Sequence, residues 1–216
     1  MTVADDPARS RILARVRRSA PPGSEVGERL AAAGTQTAPT PTQARLSGEE
    51  AIAQFMAKAV AADATASRIA DLDALPAALA DELRNRNLPA AFRTGEDPIF
   101  ERDWGTLEHS RGVGRLEEPA TLSHARYGVA ETGTLVFTSG PENPVTLTFL
   151  GETHFAVVRA EDIQSGFDDM WAAWRAAEID PRTTNLVTGP SRSGDIGQVL
   201  QLGAHGPVAL HIFVVG

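Results

Sequence analysis

The chain contains no cysteine, and that absence removes several functions at once. Without a thiolate it forms no disulfide, runs no cysteine-based catalysis and holds no iron–sulfur cluster through its own sulfur ligands. Lysine is nearly as scarce, with Lys58 the only one. It falls in "SGEEAIAQFMAKAV" (47–60), where Ile52, Phe55, Met56, Ala59 and Val60 form a stripe at helical spacing. Lys58 points away from that stripe, which excludes a buried Schiff-base lysine and with it pyridoxal-phosphate chemistry. The P-loop signature is missing, and the five histidines show no H-x-H or H-E-x-x-H spacing, so no zinc site is expected. Long apolar runs are absent as well. The longest, such as "VALHIFVV" (208–215), cannot cross a bilayer, and the N-terminus lacks the apolar stretch of a secretory signal. A soluble cytoplasmic protein without a membrane span is the expectation.

What remains is ordinary globular material. The 216 residues, 42% apolar and 22% charged, suit one domain with an appended segment. A formal net charge of −8 excludes a general nucleic-acid binder but leaves room for a local anion site. The first twenty residues run against the trend, with five arginines against two aspartates. They read as a basic helix with a solvated or partner-binding face.

Along the chain, residues 5–19 predict a helix capped by Asp6, with Pro7 in its first turn and Ile12, Leu13 and Val16 on one face. Residues 20–46 lack periodicity and read as an irregular connector, which sets an expected boundary between segments 1–46 and 47–216. A second helix begins at Ser47, where Ser47 and Glu50 have the spacing of a capping box. A strand is expected at 66–70, then a helix over 72–87 carrying Leu75, Leu79 and Leu83, then a strand at 90–94. Residues 95–120 read mostly as loop. Strands follow at 134–139 and 154–159, a helix with an aromatic stripe at 160–176, a strand at 184–188, a short helix over 193–203 and a closing central strand at 208–215. Alternation of this kind predicts an α/β fold with a largely parallel sheet, in which ligands sit where loops leave the carboxyl ends of strands.

Two stretches carry candidate chemistry. "GPSRSGDIGQVLQLGAHGP" (189–207) holds Ser191, Asp195 and His205, the residue types of a hydrolase triad, but lacks the strained G-x-S-x-G elbow. A second reading is an anion cradle. The chain turns through Gly189 and Pro190 into a helix starting near Ser193, whose free N–H groups and Arg192 would meet a phosphate or carboxylate. A third is a Ser-capped helix with Asp195 in its first turn, needing no ligand. In "GVAETGTLVFTSG" (128–140), Glu131 precedes a strand among small residues. Its carboxylate could serve as nucleophile or base, or simply accept hydrogen bonds from Thr132, Thr134 or nearby amides in a tight turn. Among the histidines, His205 in its turn is the functional candidate and His211 reads as a core residue.

Taken together and in order, "AETGTLVF" (130–137), "GPSRSGDI" (189–196) and "GAHGPVALHIFVV" (203–215), with the short helix "SRILARVRRS" (10–19) ahead of them, resemble the lactate utilization protein C family of LUD-domain proteins. The resemblance implies a three-layer α/β/α fold akin to the NagB/RpiA/coenzyme A-transferase group. It also implies a non-redox part in oxidising L-lactate to pyruvate beside two iron–sulfur partner proteins, which suits a chain that cannot hold a cluster itself. The motif residues it carries over are Glu131, Thr132, Gly133, Thr134, Gly189, Pro190, Ser191, Arg192, Asp195, His205, Gly206 and Pro207. With Ser193, they would form a two-loop cleft for a small anionic ligand or for partner contact. The chain departs from the family pattern at Gly194 and Gly197, where an alanine and a glutamate are usual. A different class of function stays open beside this one: a stand-alone enzyme on a coenzyme A thioester or a phosphorylated small molecule, with Glu131 as nucleophile or base.

Overall fold

The computed structural model describes residues 7–19, 23–35, 39–116, 118–193, 201–202 and 205–216. The chain divides into two compact units, Met1–Thr40 and Pro41–Gly216. The first holds α1 (Pro7–Ser19) and α2 (Gly23–Thr35). Helix α1 starts at Pro7 as its sequence implies, with Ile12 and Val16 exposed; the Asp6 cap lies outside the described residues. Helix α2 corrects the reading of 20–46 as irregular. Its "GERLAAAG" core is short on large apolar residues, yet Ala, Leu, Glu and Arg are strong helix formers in any setting.

The second unit contains helices α3 (Gly48–Ala61), α4 (Leu75–Asn85), α5 (Val145–Phe149) and α6 (Phe167–Ala176). Its strands are β1 (Thr65–Ile69), β2 (Ala91–Thr94), β3 (Glu108–Arg111), β4 (Ala120–His124), β5 (Tyr127–Val129), β6 (Thr134–Thr138), β7 (Thr153–Arg159), β8 (Ile163–Gln164), β9 (Thr184–Val187), β10 (Arg192–Ser193), β11 (Gln201–Leu202) and β12 (Ala209–Val215). Six of them form an all-parallel sheet in the order β1-β12-β7-β4-β2-β3, which confirms the α/β fold with a mostly parallel sheet and flanking helices. The closing strand β12 lies inside that sheet, as its unbroken apolar run requires.

Strand periodicity assigns the two faces. On β12, Leu210, Ile212 and Val214 enter one core with Phe55 and Ala59 of α3, while Phe213 and Val215 enter the other with Leu75, Leu79 and Leu83 of α4. A second, four-stranded sheet in the order β8-β5-β6-β9 was not anticipated. Its Leu135 and Phe137 face α3 and the parallel sheet, whereas Tyr127, Val129 and Val136 pack against Met170 and Trp174 of α6.

Several local expectations change. Ser47 does occupy the N-cap of α3, but its side chain makes no capping bond, because the chain enters through Gly48 at φ +54°. Val60, placed on the buried stripe, is exposed, as is Lys58. The helix expected from 160 starts only at Phe167. Ile163 joins the small sheet beside β5, and Gly166 is extended. Within 95–120, Phe100, Trp104 and Leu107 are buried against the parallel sheet, and the polar "EHSR" forms its edge strand β3. A polar edge suits a strand that must not recruit another chain.

Leu79 has no exposed surface in the α4 core. Leu79→Ala is expected to lower unfolding free energy by about 2–5 kcal/mol, read from the urea midpoint, through lost burial and the cavity left behind.

Candidate functional site

Helix α3 places both motif loops, and it does so through backbone. Gly133, in the turn between β5 and β6, has φ +71°, and a Cβ there would collide with the Ala59 nitrogen. Gly189, just after β9, has φ +78°, and a Cβ there would collide with the Ala62 carbonyl oxygen at the end of α3. Both glycines are therefore required twice, by conformation and by space. A chain of hydroxyls ties the loops to each other. Thr132 Oγ1 lies 2.7 Å from Thr134 Oγ1, which lies 2.6 Å from Thr188 Oγ1.

Beyond Gly189 the chain borders a cleft of about 280 Å³. One wall is Gly189, Pro190, Ser191 and Arg192, and the opposite rim is His205, Gly206 and Pro207. The two are joined where the Ser191 N–H donates to the Pro207 carbonyl at 2.9 Å and Gly206 packs on the Ser191 Cβ. Leu186 and Val187 of β9 with Thr188 after them, Thr148 and Phe149 of α5, His154 of β7 and Leu210 of β12 complete the lining. His154 and Leu210 are second in their strands, so the cleft lies at the amino edge of the parallel sheet, although Thr188 and Gly189 do leave the carboxyl end of β9.

The motif residues separate into those at the cleft and those behind it. Gly189, Pro190, Ser191, Arg192, His205, Gly206 and Pro207 border it; Glu131, Thr132, Gly133 and Thr134 do not. Glu131 instead caps α6, its Oε2 accepting from the Phe167 N–H at 3.2 Å while its own N–H donates to the Ser165 carbonyl at 3.0 Å. A carboxylate at a helix N-terminus meets free N–H groups and the positive end of the dipole. Arg192 pairs with Asp63, the φ +62° residue that follows α3, so its charge is already matched. The helix expected over 193–203 is replaced at both described ends: Arg192–Ser193 pair antiparallel with Gln201–Leu202. Ser193 is thus in a strand rather than at a helix start, and Asp195 lies outside the described residues. The helix-dipole form of the anion cradle loses its basis at that position.

Two cleft residues escaped the sequence reading. His154 Nε2 and Thr148 Oγ1 are buried with no hydrogen-bond partner among the described residues. Burial pushes the His154 imidazole down to about 3, so the ring is neutral at any physiological pH. It packs against Phe137 at 5.4 Å. A neutral imidazole can either donate or accept, and a hydroxyl does both. The inner wall of the cleft thus offers polar atoms without charge, between an apolar floor and a rim of glycine and proline. Among the described residues no cluster of His, Asp or Glu gathers to hold a metal ion.

Comparison with known proteins agrees with this architecture. Residues 116–215 match the LUD domain family. A protein of Neisseria meningitidis is 35% identical over 97 residues, which cover 44% of this chain and 42% of that one. Lactate utilization protein C of Geobacillus thermodenitrificans is 35% identical over 99 residues, 44% of this chain and 41% of the relative. The protein of the same name from Bacillus licheniformis is 28% identical over 118 residues, 52% and 49%. The matched stretch therefore spans less than half the length of these relatives. The crystal structure of a DUF162 family protein from Deinococcus radiodurans shares the fold, with a TM-score of 0.62 and 21% identity over 79% of this chain and 99% of that one.

Two outcomes follow from this geometry. Gly189→Ala is expected to cost several kcal/mol (~3 or more) of stability or to prevent folding, whereas Gly140→Ala, with open space around it, stays near neutral by thermal denaturation. Below pH 6.5 the unfolded His154 takes up a proton that the folded one refuses until about pH 3, so stability falls as pH drops through that window. The loss is up to about 1.4 kcal/mol per pH unit, and His154→Gln should remove that part of the slope in urea titrations.

Proposed function

We propose that this LUD-domain protein serves lactate utilization as a non-redox component acting beside iron–sulfur partner proteins, with the cleft as its site for a small ligand. The observation that carries the reading is a coincidence of spans. Every residue lining the cleft falls within 116–215, the stretch that matches the LUD domain, and relatives aligned over comparable lengths are named lactate utilization protein C. The composition supports the division of labour. Oxidising lactate to pyruvate removes two electrons, and a chain without cysteine offers no thiolate-held cluster to receive them, which agrees with an electron path carried by partners.

Within the cleft, backbone and neutral side chains do the binding. Ser191 and Thr148 hydroxyls and the neutral His154 ring suit the hydroxyl and carboxylate oxygens of a small acid, while Arg192, held by Asp63, contributes position more than free charge. Deleting the gene should abolish growth on L-lactate as sole carbon source, and the tagged protein should bring down cysteine-rich iron–sulfur proteins. Unchanged growth on lactate would remove the assignment.

A further inference from the structure

A second cavity, of about 330 Å³, lies at the opposite end of the parallel sheet, between the loop after β2 and the loop after β6. This is the carboxyl edge, where α/β sheets characteristically place ligands. Its walls are fixed to each other: the Glu96 N–H donates to the Pro141 carbonyl at 3.0 Å, and Gly95 sits so close that a Cβ would collide with the Glu142 carbonyl oxygen.

His124, the last residue of β4, borders this cavity. Its Nδ1 lies 2.9 Å from Asp97 Oδ2, and Asp97 Oδ1 accepts from the Ile99 N–H at 3.0 Å. Burial pushes the Asp97 carboxyl up, but the bonds from His124 and Ile99 and the charges of His124 and Arg159 outweigh it and hold the group below its ordinary range. An ionised Asp97 only accepts, so the His124 Nδ1–H donates to it and Nε2 is the ring nitrogen left over. Asn143 is oriented in the same way. Its Nδ2 donates to the Thr138 carbonyl at 3.2 Å, which makes Oδ1 an acceptor. Both His124 Nε2 and Asn143 Oδ1 are buried and have no partner among the described residues. Two unpartnered polar atoms, on residues that line one cavity, call for a ligand that can both donate and accept.

Charge narrows the class of ligand. Glu96 and Glu142 are exposed carboxylates at the mouth, which disfavour an anion. Arg126, exposed at the same mouth with its guanidinium over the Tyr127 ring, disfavours an ammonium and offers donors to hydroxyl oxygens. A neutral molecule with several hydroxyls meets all of these conditions. We propose that the carboxyl-edge cavity binds a small neutral polyol or sugar, one hydroxyl bonding to His124 Nε2 and another donating to Asn143 Oδ1, with Asp97 as the residue that positions the imidazole. Glu96 and Asp97 lie outside residues 116–215, so the site is distinct from the amino-edge cleft and stands whether or not the chain serves lactate utilization.

Nitrogen-15 NMR of the full chain tests this with four probes: D-ribose, glycerol, L-lactate and putrescine. Ribose is expected to shift the His124 Nε2 and Asn143 side-chain resonances saturably at millimolar concentrations, with glycerol weaker and the two charged probes weaker still. Asp97→Asn removes the carboxylate acceptor of His124 Nδ1, so it should move the His124 ring nitrogen shifts and weaken ribose about tenfold while the melting temperature holds. Arg126→Gln, an exposed change that leaves folding intact, should weaken ribose severalfold. Silence of both resonances toward ribose and glycerol at tens of millimolar overturns the proposal. So does preference for lactate or putrescine, or undiminished ribose binding in Asp97→Asn once the His124 ring shifts have moved.

Discussion

The contact on which this structure turns is that of one helix with two glycines. The last turns of α3 lie so close to Gly133 and Gly189 that no side chain fits at either position. Because the contact is made by main chain, it fixes the path of both loops to within the tolerance of backbone packing rather than that of a rotamer. Everything described at the amino edge follows from it. The Thr132–Thr134–Thr188 hydroxyls can meet only because the two loops are held at a set distance, and Pro190 to Arg192 can face His205 to Pro207 only because Gly189 turns the chain there. α3 is in turn anchored by Phe55 and Ala59, which have no exposed surface.

The sequence disclosed the parts whose physics is local. Leu75, Leu79 and Leu83 at four-residue spacing gave α4, and the apolar "VALHIFVV" gave an interior strand. The resemblance of three ordered motifs supplied the fold group. What it hid depends on distant partners. Phe100, Trp104 and Leu107 have no periodicity of their own and become core only when the parallel sheet passes beneath them. The "SGDIGQVLQLG" stretch has helical composition, yet its described ends pair as strands, a case of tertiary pairing overriding propensity.

The site was legible to a similar degree. Seven of the motif residues border one cleft, since glycine, proline and serine in a row mark a loop wherever it falls. Glu131 could not be separated from a catalytic carboxylate by sequence, because its partner is an amide 36 positions away. His154 and His124 were passed over for the opposite reason. One sits in an apolar run and the other at a strand end, and only the fold shows that each has a ring nitrogen buried without a partner among the described residues. Buried, unmatched polar atoms are rare in native proteins, so both mark positions that the chain keeps at a cost.

The threonine chain has a further property. Three hydroxyls share two oxygen–oxygen contacts, so one proton is always left over, at either end or, where both neighbours donate to it, on Thr134. If donation runs from Thr132 toward Thr188, the spare proton faces the cleft, which Thr188 borders. If it runs the other way, the spare proton belongs to Thr132 in the hairpin turn, and Thr188 can only accept. A ligand that takes a hydrogen bond from Thr188 therefore selects the polarity of all three. Occupancy of the cleft is written into the hairpin as a direction, without any atom heavier than hydrogen having to move.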